Sequence, residues 1–290
     1  MTTVKVWVAG ARPKTLGAAI APVLVGTAAG TIGEGPVRWG RFALAAVVAL
    51  ALQVGVNYAN DYSDGVRGTD ADRVGPLRIT ASGLATPAAV RRAALLSFLI
   101  AGVAGAVLSL IVNPWLVLVG LAAILAAWGY TGGPKPYGYS GLGELMVLVF
   151  FGFVATIGSA YVQYRTWPAA AFWGSLVVGL PACAVLLANN IRDVPTDVLA
   201  GKRTLAVRVG APAARRLFVA CLVGAFLALV PIVMVHPWAA VALFAAPLAI
   251  APIRVILTRE DPPSLIAALV GTVRLQLVSA GALAIGLLLS

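Results

Sequence analysis

The chain has 290 residues, of which 61% are hydrophobic and 11% charged, and its mean hydropathy is +0.97. Soluble domains are about 45–50% apolar and about 25% charged, because a globule must cover itself with polar side chains. The composition therefore excludes a soluble enzyme, a secreted disulfide scaffold and a disordered chain. Several apolar runs are about 20 residues long, the length that crosses about 30 Å of hydrocarbon. The sequence predicts an all-α membrane protein with several spanning helices.

The net charge of +11 would indicate a nucleic-acid partner if the protein were soluble. In a membrane protein, basic loops face anionic lipid headgroups and set the topology. We therefore expect the lipid bilayer, and no nucleic acid, as a partner. Cys183 and Cys221 both lie inside apolar runs, without the spacing of a zinc site or a disulfide framework. Nothing in the sequence indicates an obligate protein partner.

Proline and glycine separate nine apolar runs along the chain. The runs lie near residues 16–32, 41–60, 93–112, 115–131, 142–163, 168–190, 213–235, 238–256 and 264–289. No change in composition marks a second domain. The sequence predicts one domain over residues 1–290, a bundle of nine transmembrane helices.

Lysine and arginine are distributed unevenly over the two sides of this bundle. Of the 21 Lys and Arg residues, all but four lie before the first span or in and beside the even-numbered connections, the exceptions being Arg38, Arg41, Arg165 and Arg274. This bias predicts a multi-pass protein of the cell membrane with a cytoplasmic N-terminus and cytoplasmic even-numbered loops. Arg274 lies about 16 Å past the start of the last span, and we expect it to face the bundle interior.

Two of the predicted cytoplasmic loops hold six of the ten acidic residues, and each acidic cluster begins where a predicted span ends. The first cluster contains Asn57, Asn60, Asp61 and Asp64, and continues to Asp70 and Asp72. The second contains Asn189, Asn190, Asp193 and Asp197. Helical spacing places the first four on one face, and Asp193 and Asp197 can likewise point the same way, although Pro195 can distort that turn.

Like charges at this spacing destabilise a helix unless a cation lies between them. Carboxylate oxygens suit Mg²⁺, which takes one or two carboxylates together with substrate phosphates and water. Basic residues accompany both clusters: Arg67, Arg73, Arg192, Lys202 and Arg203. The pattern predicts a Mg–diphosphate site at the cytoplasmic face. The alternative is a pair of solvated loops with local salt bridges.

The paired motifs at the ends of the second and sixth spans resemble those of the UbiA superfamily of intramembrane prenyltransferases. Short segments are similar to its 1,4-dihydroxy-2-naphthoate polyprenyltransferase branch: Arg12-Pro-Lys-Thr-Leu16, Asn60-Asp-Tyr62, Gly75-Pro-Leu-Arg78, Tyr130-Thr-Gly-Gly-Pro134 and Gly141-Leu-Gly-Glu144. Gly68 departs from the pattern, because the superfamily's broader motif has an aspartate there. A third carboxylate of the first motif would then come from Asp70 or Asp72.

The resemblance implies transfer of a polyprenyl group from polyprenyl diphosphate to 1,4-dihydroxy-2-naphthoate, with loss of CO₂ and diphosphate, in menaquinone biosynthesis. It implies Mg²⁺ as the cofactor, held by Asp61, Asp64, Asp193 and Asp197, with Asp70 as a further candidate. Diphosphate contacts are expected from Arg67, Arg73 and Lys202, and further substrate contacts from Asn57, Asn60 and Asn190.

Other side chains are candidates for the allylic cation and the aromatic acceptor. Tyr130, Tyr137 and Tyr139 can face a cation through their π-clouds or can anchor the chain at the headgroups. Lys14 or Arg78 can bind the acceptor's carboxylate, or can be a topology charge. Glu144 can orient its loop, position a phenol or interact with a helix N-terminus.

Two alternative functions remain at this stage. The paired motifs resemble the internal repeats of secondary transporters of anionic solutes, although such transporters have their sites near the bilayer midplane on broken helices. Other branches of the superfamily use 4-hydroxybenzoate, homogentisate or other acceptors, and the aspartates do not discriminate among them.

Overall fold

The computed structural model describes residues 3–69, 75 and 77–290, and every regular element in this part of the chain is helical. Eleven helices follow one another along the chain. They are α1 Thr3–Ala11, α2 Gly17–Ala29, α3 Trp39–Arg67, α4 Pro87–Ile111, α5 Leu116–Gly129, α6 Gly143–Tyr164, α7 Ala169–Leu199, α8 Leu205–Val209, α9 Ala211–Val235, α10 Pro237–Thr258 and α11 Pro262–Leu288. α6, α9 and α10 are each composed of consecutive helical segments.

Seven of these helices are long and apolar enough to cross a membrane: α3, α4, α6, α7, α9, α10 and α11. The predicted first and fourth spans are the shorter helices α2 and α5, of 13 and 14 residues. At 1.5 Å per residue each is about 20 Å long, less than the hydrocarbon thickness. The all-helical membrane architecture is therefore confirmed, and the count of nine crossings stays a prediction.

α3 and α7 are the longest helices, with 29 and 31 residues. Each exceeds about 40 Å, so its last turns extend past a hydrocarbon layer of about 30 Å. Asp61 and Asp64 lie on the last turns of α3, and Asp193 and Asp197 on those of α7. Pro195 does not interrupt α7, which continues to Leu199.

Glycine allows two close contacts between helices, one of α2 with α6 and one of α6 with α7. Gly26 and Gly30 of α2 lie against the backbone of Thr156 and Ala160 on α6, with a Cβ on Gly26 falling 2.1 Å from the Thr156 carbonyl oxygen. Gly152 of α6 similarly meets α7, within a π-helical segment at Leu148–Val154. Backbones can approach this closely only where no side chain separates them.

The prediction that Arg274 faces the bundle interior is wrong, because this arginine is exposed on the outer surface of α11. Gln276 is the buried polar residue here, and its amide donates to the Val178 carbonyl at 2.7 Å. The depth estimate assumed that α11 enters the hydrocarbon at its first residue. Val273 instead lies beside Gly17, level with the start of α2. From that level, we expect the long Arg274 side chain to extend toward the headgroups.

Candidate active site

The carboxylate of Asp64, near the end of α3, is the centre of a buried charged cluster. It accepts hydrogen bonds from the Tyr139 hydroxyl, from Lys202 Nζ at 3.2 Å and from Arg78 Nη2 at 3.4 Å. Asp64 is 3% exposed and Lys202 9% exposed. Two cations therefore neutralise one buried carboxylate, which is the arrangement that makes a buried charge tolerable.

Lys202 joins the first acidic motif to the second. Its backbone N–H donates to the Asp197 carbonyl at 2.8 Å, just past the end of α7, while its ammonium reaches Asp64 on α3. Asp197 also accepts from the Thr204 hydroxyl at 3.4 Å. The structure therefore brings together the two motifs that the sequence separates by more than a hundred residues.

Asp193 is bound by its neighbour on the same helix. Arg192 donates to both carboxylate oxygens, through Nε at 2.7 Å and Nη2 at 2.8 Å, and the same Nη2 donates to Asn189 at 2.7 Å. Arg192 and Asp193 are both buried. Such a two-pronged pair fixes the orientation of the carboxylate.

Asp61 has a different environment from the one predicted for a metal ligand. It is fully buried, and its two oxygens accept backbone N–H groups of Ile79 at 2.9 Å and Thr80 at 2.8 Å. The carboxylate therefore faces the loop after the first motif and holds it against α3. This loop supplies Arg78, so Asp61 positions the Arg78 loop in this geometry, and its role as a metal ligand stays a prediction.

Asn60 and Arg67 hold the loop between α5 and α6. Asn60 accepts from the Thr131 hydroxyl at 2.7 Å, and Arg67 donates to the carbonyls of Thr131 and Gly133. On the other side of this loop, Asn190 donates to Glu144 at 2.8 Å, and both side chains are buried. Asn60 and Arg67 thus link α3 to the loop, and Asn190 links α7 to the start of α6.

Tyr139 lies in the turn Tyr137–Ser140 of that loop, among cations. Lys202 Nζ is 4.6 Å and Arg67 Cζ is 5.4 Å from its ring centroid. Burial raises the pKa of the Tyr139 phenol, and the Asp64 carboxylate beside it raises it further. The phenol therefore stays protonated and donates to Asp64. Its ring is already engaged by protein cations, whereas Tyr130 and Tyr137 line a neighbouring cavity.

This cavity of about 330 Å³ begins at Asn60, one helical turn before Asp64 on α3, and extends along α5 and α6. Apolar side chains form most of its wall, from Met146 near the cluster to Val162 near the opposite end of α6. Polar groups line the end near the cluster: Arg12, Thr15, Gln53, Asn57, Asn60 and Asn189. Such a cavity suits an amphiphile with a polar head and a long apolar tail.

The structure does not bring every predicted residue to the site. Lys14 is exposed and does not line the cavity. Asp70, Asp72 and Arg73 lie outside the described residues. Arg12 and Gln53 are cavity residues that the sequence interpretation missed. Gln53 could have been found, because it lies one helical turn before Asn57 on an otherwise apolar face.

The carboxylates of the two motifs can be compared with the ligands that a metal ion requires. Within residues 3–69, 75 and 77–290, no three His, Cys, Asp or Glu side chains form a group that could hold a metal by themselves. Mg²⁺ does not need such a group, since substrate phosphates and water complete its shell. The carboxylate oxygens of Asp64, Asp193 and Asp197 are of the chemical type that this ion binds.

Comparisons with known proteins identify the family of the chain. The sequence pattern of the UbiA prenyltransferase family matches residues 19–285. A 1,4-dihydroxy-2-naphthoate octaprenyltransferase of Mycobacterium tuberculosis is 50% identical over 244 residues, 84% of this chain and 83% of that protein. A protein of the same name from Escherichia coli is 37% identical over 301 residues, 98% of this chain and 95% of that protein.

The fold is also similar to that of a solved structure, a UbiA homolog from Archaeoglobus fulgidus bound to GPP and Mg²⁺. The TM-score is 0.62 at 13% identity, covering 96% of this chain and 99% of the other. This similarity shows the fold, and the match over residues 19–285 together with the relatives settles the family. The chain belongs to the UbiA prenyltransferase family.

Proposed function

We propose that the protein transfers a polyprenyl group from polyprenyl diphosphate to 1,4-dihydroxy-2-naphthoate, releasing CO₂ and diphosphate, in menaquinone biosynthesis. The observation that carries this proposal is a buried Asp64–Lys202–Arg78 cluster that lies one turn of α3 past Asn60, a residue of the wall of a long apolar cavity. The names of the relatives at 50% and 37% identity support the naphthoate as acceptor. The family excludes the alternative of a secondary transporter.

We assign the diphosphate to the charged cluster. Lys202 and Arg78 are the cations nearest Asp64, and both can turn toward phosphate oxygens. Asp64, Asp193 and Asp197 would hold Mg²⁺ beside them, as the Mg²⁺ bound to the Archaeoglobus fulgidus homolog supports. When bound, the ion would neutralise charge that develops on the departing diphosphate. Asp61 keeps the Arg78 loop in position.

The cavity accommodates the tail and keeps water from the reacting carbon. The bond between the allylic carbon and the diphosphate oxygen breaks, and that carbon bonds to the ring carbon that bears the carboxylate. The ring carbon then loses CO₂, and the electron pair of the broken bond returns to the ring. Tyr130 and Tyr137 line the cavity, where their π-faces can stabilise the allylic cation.

The membrane orientation follows the charge bias. The cluster lies at the ends of α3 and α7, on the side that holds most of the lysines and arginines. Arg38, Arg41 and Arg165 lie at the opposite ends of the helices. We therefore assign the site to the cytoplasmic face of the cell membrane.

The direct test is an assay of the purified protein in detergent. The wild-type protein, with Mg²⁺ and octaprenyl diphosphate, should prenylate the naphthoate and release label from a carboxyl-labelled acceptor as CO₂. Omission of Mg²⁺ with a chelator should abolish the reaction. Retention of the carboxyl label in the product, or activity with 4-hydroxybenzoate and not with the naphthoate, would contradict the proposed acceptor.

The length of the prenyl chain that the protein accepts should depend on the part of the cavity farthest from the charged cluster. Gly158 lines the wall about 22 Å from Gly143 along α6, and nothing lies within 4 Å of a Cβ at this position. The substitution Gly158→Phe should fill this part, so that octaprenyl diphosphate loses activity while geranyl diphosphate keeps it. The measurement is kcat/KM for the two donors.

Gly281→Phe is the matched control, because Gly281 also has nothing within 4 Å and lies outside the cavity wall. It should leave the ratio of the two kcat/KM values unchanged. An equal loss for both donors in Gly158→Phe would show that the tail does not reach this depth.

A further inference from the structure

Three of the four arginines that depart from the charge bias meet at one place. Arg38 and Arg41 lie at the start of α3, and Arg165 follows the last residue of α6. The charges of Arg38 and Arg165 both act on Arg41, so the three side chains form one arginine cluster, at the end of α3 opposite Asp64. The charge bias alone predicts few cations at this end. The arginine cluster therefore has a role other than setting the topology.

Arg41 joins the start of α3 to the end of α6. Its Nη1 donates to the carbonyls of Val162 at 2.8 Å and Gln163 at 2.7 Å, in the last turn of α6, where carbonyls lack a partner within the helix. The Arg38 backbone N–H donates to the Gln163 side chain at 2.9 Å, and Gln163 is fully buried. Val162 and Ala45, one turn after Arg41, both line the cavity. Arg41 thus holds two walls of the cavity together at the end far from Asp64.

The guanidinium groups of Arg38 and Arg165 are not used in this way. Both residues are exposed, and neither side chain donates a hydrogen bond to any residue in the described part of the chain. Arg38 lies over the Tyr164 ring, with its Cζ 4.2 Å from the ring centroid, so its N–H groups stay available. Within the same described residues, none of the three arginines forms a salt bridge. The arginine cluster therefore carries positive charge that a bound anion would neutralise.

Two tryptophans indicate the depth of the arginine cluster in the membrane. Trp39 follows Arg38 in the chain, Trp167 lies two residues after Arg165, and both indole rings are largely exposed. Tryptophan is enriched where the hydrocarbon meets the lipid headgroups. The arginines therefore lie level with the phosphate groups of the lipids.

We propose that the arginine cluster binds the phosphate of an anionic lipid in the leaflet opposite the active site. Arg38 and Arg165 donate to the phosphate oxygens, since a guanidinium binds such oxygens through two N–H groups at once. The same phosphate balances the charge of Arg41. A zwitterionic lipid fits less well, because the arginines repel its ammonium group. The bound lipid holds the start of α3 against the end of α6, and this inference does not depend on the proposed reaction.

Hydrogen exchange of the protein in lipid nanodiscs tests the proposal and locates the lipid. In the wild-type protein, replacing part of the phosphatidylcholine by phosphatidylglycerol should slow exchange of the backbone amides of residues 35–42 and 163–167, because the lipid opposes opening of these helix ends. The double variant Arg38→Gln and Arg165→Gln should bind phosphatidylglycerol about 30-fold more weakly, or about 5-fold for each arginine, and should lose this slowing. Arg41 is kept, because it also bonds to α6.

Two control variants separate lipid binding from charge in general and from folding. The double variant Arg254→Gln and Arg259→Gln removes two exposed arginines at the other end of the bundle and should keep the slowed exchange at residues 35–42 and 163–167. Arg165 has a left-handed backbone, with φ 63°. Arg165→Gly relieves this backbone while removing the charge, so it should keep its Tm in phosphatidylcholine and still respond less to phosphatidylglycerol.

Three results would overturn the proposal. The first is a wild-type protein in which phosphatidylglycerol leaves exchange at both helix ends unchanged. The second is equal slowing in the two double variants, which would mean that the arginine cluster does not bind the lipid. The third is equal slowing by inorganic phosphate in phosphatidylcholine nanodiscs, which would identify the ligand as a soluble anion.

Discussion

Asp64→Asn should lower kcat/KM for prenyl transfer by about 10²–10³, the typical loss when one electrostatic group of an active site is removed. Asparagine keeps the size of the side chain and can still accept from Tyr139, so the turn Tyr137–Ser140 should stay in place. The substitution removes the negative charge that pairs with Lys202 and Arg78. It also removes a proposed ligand for Mg²⁺ in the first motif.

The measurement compares kcat/KM with the naphthoate and octaprenyl diphosphate over a range of Mg²⁺ concentrations, since a lost ligand should raise the concentration needed for half-maximal rate. Glu260→Gln is the control, because this carboxylate is exposed and far along the chain from both motifs. Equal thermal stability of the two variants would separate lost chemistry from lost folding. If Asp64→Asn keeps wild-type activity, α3 supplies no essential ligand to the proposed metal site.

The sequence identifies Asp61 and Asp64 as equivalent candidates, and only the structure distinguishes them. Both lie on one helical face three residues apart, and both are buried. The difference arises from the path of the loop after α3, which brings two backbone N–H groups to Asp61 and the side chain of Arg78 to Asp64. Long-range loop geometry of this kind has no local signal in the sequence.

The positions of the spanning helices could be predicted from the apolar runs, because the hydrocarbon thickness sets the length of an apolar helix that crosses it. The ends of the helices could not. α3 continues to Arg67 although the apolar run stops near Asn60, since a helix that leaves the membrane can be polar. For the same reason the depth of Arg274 was overestimated. Arg12 was missed because a basic residue before a span has the same sequence signature whether it sets topology or lines a cavity.

Gly26→Ala should destabilise the protein, although alanine is the better helix former by about 1 kcal/mol. A Cβ at Gly26 would lie 2.1 Å from the Thr156 carbonyl oxygen and 2.7 Å from the Ser159 Cβ. The nearest atom belongs to the backbone of α6, so no rotamer change can relieve the contact and the two helices must separate. Overpacking of this kind typically costs about 1–3 kcal/mol.

The double variant Gly26→Ala and Gly30→Ala should show the larger effect, because a Cβ at Gly30 would lie 2.4 Å from the Ala160 carbonyl oxygen on the same helix. We expect its Tm in detergent to fall by about 5 °C or more. Gly281→Ala is the matched control: nothing lies within 4 Å of its Cβ position, so helix propensity alone acts and the Tm should stay equal or rise. Because α2 and α6 both line the cavity, their separation should also lower the affinity for prenyl diphosphate. A double variant as stable as Gly281→Ala would mean that α2 and α6 do not meet at these glycines.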